Sequence, residues 1–211
     1  MEVFKLVFSP IEVNTYVLAG KSGKCIIIDC GCYDEKEFSR LVKAIETRKL
    51  QPALLLNTHC HLDHVFGNRM VLEKYGLSSH FSVLEESNRL NGPSHAALFG
   101  LDMRVAPEAE SFIEHGQVIT MDEISLKCFL VPGHTAGSIA FYSEADGCVF
   151  TGDALFAGSI GRSDLEGGNH VTLVNAIKSH LLTLPEDTIV YSGHGQATTI
   201  GREKKTNPYL V

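Results

Sequence analysis

The amino-acid sequence predicts a layered α/β fold, and two observations carry that expectation. Short apolar runs of strand length alternate with segments whose apolar residues recur at helical spacing. Residues able to bind metal follow directly on the ends of several runs, where α/β folds place their sites.

Taken in order, Val13 to Leu18 reads as a strand, and so does Cys25-Ile26-Ile27-Ile28, which ends at Asp29. Asp34-Glu35-Lys36-Glu37 opens a helix in the capping-box pattern, an Asp at the cap and a Glu three residues later. Phe38, Leu41, Val42 and Ile45 then form an apolar stripe, with Lys36, Lys43 and Glu46 on the solvated face. Pro52 separates this helix from a short buried strand, Ala53-Leu54-Leu55-Leu56. Val65 to Tyr75 reads as a helix, with Phe66 and Met70, and Val71 and Tyr75, four residues apart. The stretch from Glu85 to Gln117 is the least regular. Gly92-Pro93 punctuates it, and Ser94 to Gly100 is expected to form a short helix or a lid. Ile124 to Val131, Ile139 to Tyr142, Val149 to Thr151 and Ile189 to Ser192 read as further strands. His170 to Leu182 reads as a helix capped by Asn169, with Val174, Ile177 and Leu181 facing the core.

Between the Ala53 strand and the Val65 helix stands His59-Cys60-His61-Leu62-Asp63-His64, with four potential metal ligands in six residues. Side chains alternate along an extended segment, so His59 and His61 point together. Asp63 and His64, at the bend, can turn toward a second ion. His134 in Pro132-Gly133-His134-Thr135, Asp153 in Thr151-Gly152-Asp153 and His194 in Ser192-Gly193-His194-Gly195 complete a set sufficient for two metal ions. Taken singly, these residues have plainer readings: Asp63 as a helix cap, Asp29 as a turn residue ending its strand. His80, His95, His115, His170 and His180 lie outside the motifs and are expected to be structural or surface residues.

This ordered set resembles the metallo-β-lactamase superfamily. Ile27-Ile28-Asp29-Cys30-Gly31, Gly161-Arg162-Ser163-Asp164 and the ending Thr198 to Glu203 with Asn207 to Leu210 extend the likeness. Within the superfamily the pattern is similar to a compact bacterial subgroup of glyoxalase II, the hydroxyacylglutathione hydrolases. The resemblance implies a four-layer αββα sandwich, two mixed sheets flanked by helices. It implies one metal held by His59, His61 and His134, a second held by Asp63, His64 and His194, and Asp153 bridging them together with a water or hydroxide. Asp29 would accept the free N–H of a metal-bound histidine.

The implied activity is hydrolysis of a thioester such as S-D-lactoylglutathione by a metal-bridging hydroxide, with Asp153 and Asp63 orienting it and taking its proton. A thiolate leaving group suits a sequence with no obvious general acid, because a thiol's reference pKa is about 8.5. Two divalent ions are expected, zinc first, with iron or manganese as alternatives. Arg202, Lys204 and Lys205 are candidate contacts for a substrate carboxylate, similar to the basic cluster that holds glutathione in glyoxalase II. Their plainer reading is solvated charge at a fraying terminus. Arg162 is a further candidate, or else half of a loop-shaping salt bridge with Asp164. A single domain over residues 1–211 is expected, without the full C-terminal helical domain of glyoxalase II.

The chain has 211 residues, 44% of them hydrophobic, and a formal charge of −7. That length buries a substantial core. The acidic balance argues against nucleic acid, whose binding leaves a basic footprint. No apolar run reaches the length of a membrane span. Met1 to Pro10 lacks the basic leader and long apolar core of a signal peptide. A cytoplasmic monomer or small homo-oligomer acting on a small molecule is therefore expected, with its six cysteines reduced. Cys60, beside the ligands, is expected to pack.

The main rival is a persulfide dioxygenase, which keeps the same motif but uses one iron, here on His59, His134 and Asp153. A β-lactamase would typically carry a Cys in place of Asp153 and a signal peptide. A nuclease of the superfamily would add domains or an extended arm.

Overall fold

Two six-stranded mixed sheets pack face to face in the computed structural model, which describes residues 1–211. The first contains, side by side, β1 (Glu2–Phe8), β2 (Val13–Ala19), β3 (Lys24–Ile28), β4 (Gln51–Leu56), β5 (Ser79–Phe81) and β6 (Ser111–Phe112). Its first three strands are antiparallel neighbours, and β3 to β6 run parallel. The second half of the chain supplies β7 (Val118–Met121), β8 (Ile124–Leu130), β9 (Ile139–Ser143), β10 (Cys148–Gly152), a small hairpin of β11 (Leu155–Phe156) and β12 (Ser159–Ile160), then β13 (Ile189–Ser192) and β14 (Thr198–Thr199). The second sheet has the order β14-β13-β10-β9-β8-β7, with β10 and β13 parallel and the other neighbours antiparallel.

The apolar runs explain the layering. Along β3, Ile26 and Ile28 face the second sheet and pack with Leu126, Phe141 and Phe150. Cys25 and Ile27 point the other way, onto Phe38, Leu41 and Ile45 of helix α1 (Glu35–Thr47). A strand covered on both faces reads as a continuous apolar run rather than an alternating one. Val71 of α3 (Asn68–Tyr75) joins the same outer layer. On the far face of the second sheet, Ala140, Val149 and Val190 meet Leu173 and Ala176 of α5 (His170–Ala176), together with Ile177 and Leu181. The result is the four-layer αββα sandwich expected from the sequence, and no helix is long and apolar enough to cross a membrane.

Asp34 caps α1 as expected, its Oδ1 accepting Glu37 N at 2.8 Å. The second half of the capping box is absent. The Glu37 carboxylate accepts Tyr33 N and Ser9 N instead, both at 2.9 Å, which ties the β1–β2 turn to the helix.

Other boundaries differ from expectation. Pro52 lies inside β4, where a register shift against β3 absorbs its missing donor. The helix expected from Val65 is two pieces, the short α2 (Leu62–Val65) and α3. They break at Gly67, whose N–H donates to Cys30 O at 2.8 Å and whose missing Cβ leaves room for Cys30 and Cys32. Asp63 and His64 therefore stand in a helical turn, not in a loop. Gly92-Pro93 does not break the chain either: α4 runs through it from Glu86 to Leu98. The C-terminal segment forms α6 (Ile200–Thr206), capped by Thr199 and anchored by buried Glu203. The Glu203 carboxylate accepts Gly158 N, Thr198 Oγ1 and Asn207 Nδ2. All six cysteines are buried, with Cys60 packed against Val65, Phe81 and Ala106.

Candidate metal centre

Five strand ends build the site. Asp29 follows β3, His59 follows β4, His134 follows β8, Asp153 follows β10 and His194 follows β13, each within four residues of the strand's C-terminal end. Backbone bonds stitch the two sheets together there. Ile139 N donates to Thr58 O at 2.7 Å, and Asn14 N donates to Gly193 O at 2.6 Å. Two glycines allow the close approach. At Gly152 the chain turns with φ +49° against Thr58, and a Cβ on Gly193 would strike Asp153 Oδ1 and His64.

The structure brings all seven candidate ligands into one cluster. His59, His61 and His134 form one set, Asp63, His64 and His194 another, and Asp153 groups with His59 and His64, the donor atoms of each set lying within 4.8 Å of one another. Partners outside the cluster assign the ring tautomers. His134 Nδ1 donates to Arg162 O at 2.8 Å, leaving its Nε2 as a lone pair. Thr58 Oγ1 donates to Asp29 Oδ2, so it accepts from His59 Nδ1, and His59 Nε2 is also a lone pair. These two bare nitrogens face each other at 3.2 Å. His64 Nδ1 donates to Asp29 Oδ2 at 2.9 Å, and His194 Nδ1 donates to Glu12 O at 3.2 Å. Their Nε2 atoms turn toward Asp153, at 3.3 Å and 3.5 Å, and toward Asp63, at 3.7 Å and 3.1 Å. The Asp153 carboxylate lies between the sets, its Oδ2 also 3.7 Å from His134 Nε2.

Acceptors aimed at acceptors repel unless positive charge stands between them. His64 Nε2 and Asp153 Oδ1 are buried without a hydrogen-bond partner, the pattern of atoms reserved for a ligand. The donor set therefore fits divalent cations bound by imidazole and carboxylate.

The electrostatics agree. Burial, helped by the rings of His64, His61 and His134, holds His59 well below the usual imidazole range. Burial likewise brings His61 down to about 3. Burial opposes charge on His64 as well, but Asp29, Asp153 and Asp63 outweigh it and raise its pKa well above the usual value. Asp63 and Asp153 are held below the carboxylate range against burial, first by His64. In the metal-free chain a proton on His64 supplies positive charge that a cation would replace, so metal binding at its Nε2 releases it.

Two carboxylates hold the ligands in place. Asp29, with a left-handed φ of 54°, accepts Thr58 N at 2.8 Å and Thr58 Oγ1 at 2.7 Å as well as His64 Nδ1. It orients His64 rather than merely ending its strand. Glu85, fully buried, was not singled out from the sequence. Its carboxylate accepts Cys60 N and Gly137 N at 2.8 Å and Asn88 Nδ2 at 2.9 Å, joining the His59–His64 segment to the loop after His134. Its only sequence signature is an acidic residue at the head of a helical segment, which describes most exposed glutamates equally well.

A cavity of about 600 Å³ opens onto the cluster, lined by His61, Asp63, His134, Asp153 and His194 together with Ile11, Leu98, Phe99, Phe156 and Leu165. His95, expected to be structural or on the surface, also lines it. So does Arg162, but its guanidinium is forked to Asp164 through two bonds of 2.9 Å. Arg202, Lys204 and Lys205 stand on α6 rather than on a frayed tail and do not line the cavity, and Lys205 pairs with Glu186. Of the remaining histidines, His115 and His180 pack together, His180 stacking on Phe129, and His80 meets Ser111.

Fold and donor set together define a metallohydrolase scaffold with a His/Asp centre for divalent metal. The chain belongs to the metallo-β-lactamase superfamily, whose sequence pattern matches residues 9–194. It is 36% identical over 205 residues to the probable metallo-hydrolase YqgX of Bacillus subtilis, covering 95% of this chain and 93% of that one. It is 36% identical over 181 residues to the hydroxyacylglutathione hydrolase GloC of Haemophilus influenzae, covering 82% and 83%. Among solved structures, the BLEG-1 B3 metallo-β-lactamase matches with a TM-score of 0.91 and 32% identity over the full length of both chains. TTHA1623 in a di-iron-bound form matches with a TM-score of 0.88 and 34% identity, covering 98% of this chain and 100% of that one.

Proposed function

We propose that this protein is a binuclear metal-dependent hydrolase of the cytoplasm that cleaves a small thioester, S-D-lactoylglutathione being the first candidate. The observation that carries the reading is the pair of donor sets with the Asp153 carboxylate between them. His59, His61 and His134 would hold one ion and Asp63, His64 and His194 the other, with Asp153 shared. Zinc is the expected metal, and the di-iron form of TTHA1623 makes iron the first alternative. When bound, a pair of divalent cations supplies hydroxide at neutral pH and positive charge beside a developing oxyanion.

The chain's own residues do the rest. The depressed pKa values of Asp63 and Asp153 keep both carboxylates ionised, so they can orient a water by accepting its hydrogens. Asp29 and the Arg162 carbonyl fix the two rings that bracket Asp153. A thiol leaves without a strong acid, and the likeness to a hydroxyacylglutathione hydrolase supports a thioester over other acyl bonds.

The dioxygenase reading uses only His59, His134 and Asp153 and leaves Asp63 and His194 without a role. The test is S-D-lactoylglutathione hydrolysis by anaerobically purified protein, with a β-lactam as comparison substrate. Thioester cleavage that a chelator removes and added divalent metal restores is the expected result. No cleavage, together with oxygen uptake on glutathione persulfide, would replace the hydrolase with the dioxygenase.

A further inference from the structure

We infer that the cavity beside the donor cluster binds an apolar acyl chain, so that thioesters of medium-chain aliphatic acids are better substrates than those of two- or three-carbon acids. The inference rests on the thioester-hydrolase reading and narrows its acyl class, ranking S-D-lactoylglutathione, whose acyl group has three carbons, below thioesters of longer alkyl chains.

Six apolar side chains from five separate segments converge on the cavity: Ile11 from the β1–β2 turn, Leu62 from α2, Leu98 and Phe99 from the end of α4, Phe156 from β11, and Leu165 from the loop before α5. Three of them are costly to leave in water: Leu98 is 82% exposed, Phe99 61% and Leu165 41%. Apolar residues gathered at the mouth of a concave site, next to polar groups that fix orientation, are the pattern of a ligand pocket.

The rim is also ordered. Phe99 N and Leu101 N both donate to Ala96 O, Gly100 N donates to Ala97 O, and Arg89 Nη1 ties the helix to Ala106 O at 2.8 Å. The backbone that carries Leu98 and Phe99 is thus closed by hydrogen bonds rather than frayed.

Charge argues in the same direction. The only arginine lining the cavity is engaged by Asp164, no lysine lines it, and Glu166 adds negative charge. An anionic acyl arm finds no free Arg or Lys side chain there, whereas an alkyl chain finds apolar wall. The volume of about 600 Å³ leaves room for such a chain.

The test is kcat/KM of the metal-loaded protein on acetyl, butyryl, hexanoyl and octanoyl thioesters of N-acetylcysteamine. Full burial of one methylene is worth roughly fourfold, from about 0.8 kcal/mol. With partial burial, the hexanoyl-to-acetyl ratio is expected to reach about tenfold or more. The double substitution Leu98→Ser with Phe99→Ser is expected to bring that ratio within about twofold of one. Both positions are exposed, so the fold tolerates them. Cleavage of the whole series at one rate, or a ratio unaltered in the double variant, would overturn the inference and leave the hydrolase reading standing. No cleavage of any thioester by the metal-loaded protein would overturn both.

Discussion

Asp153→Asn is expected to lower kcat/KM for thioester cleavage by on the order of 10²- to 10⁴-fold, the range lost when a group that positions or accepts the reacting proton is removed. Asp153 is the one side chain facing the Nε2 atoms of His64, His134 and His194 together. The substitution keeps shape and volume, so the fold survives. It replaces one oxygen with an N–H that donates to an imidazole lone pair, which occupies the position a cation needs. It also removes the negative charge that balances two divalent ions. Steady-state kinetics with metal content on the same sample checks this. Activity within tenfold of the parent, at undiminished metal content, would show that Asp153 does not act between the two sets.

Asp29→Asn is expected to weaken metal binding by about 10- to 100-fold, although Asp29 does not face the cluster. The mechanism is a tautomer error. The Asp29 carboxylate accepts four donors, Asn57 Nδ2, Thr58 N, Thr58 Oγ1 and His64 Nδ1. An amide must turn its NH₂ toward one side. Turned toward His64 it donates to Nδ1, which moves the imidazole proton to Nε2 and blocks the lone pair aimed at Asp153. Turned toward Thr58 it opposes a backbone N–H that has nowhere to rotate. Asn tolerates the left-handed φ at this position, so backbone strain does not confuse the result. Competition with a chromophoric chelator reads the affinity, and circular dichroism checks the fold. Unchanged affinity would reduce Asp29 to a residue that only ends its strand.

The ligand segment was legible because its chemistry is dense: four potential ligands in six residues between an apolar run and a helix. The strands β2, β3, β4, β8, β9, β10 and β13 were legible from apolar residues at strand length, continuous in β3 and alternating in β8, and α1 because a capping Asp precedes a helical stripe. What was not legible depends on tertiary partners. Gly92-Pro93 reads as punctuation, but Gly92 packs against Met103 and the helix continues through both residues. Residues 200–206 are mostly polar and read as a tail. Buried Glu203 anchors the helix they form by accepting from Gly158 N, Thr198 Oγ1 and the helix's own C-cap, Asn207 Nδ2. Glu85 does the same for the ligand loops, and no local pattern distinguishes a carboxylate that will be buried from one that will not. The expected substrate role of the basic residues on α6 came from resemblance. They do not line the cavity, whose wall carries apolar side chains.

The most direct measurement is metal stoichiometry against activity. Metal-free protein would be titrated with zinc, and separately with ferrous iron under anaerobic conditions, while thioester cleavage and bound metal per chain are followed together. The paired donor sets predict that activity rises to a plateau at about two ions per chain. A plateau at one iron per chain, with oxygen consumption in place of hydrolysis, would contradict the binuclear hydrolase.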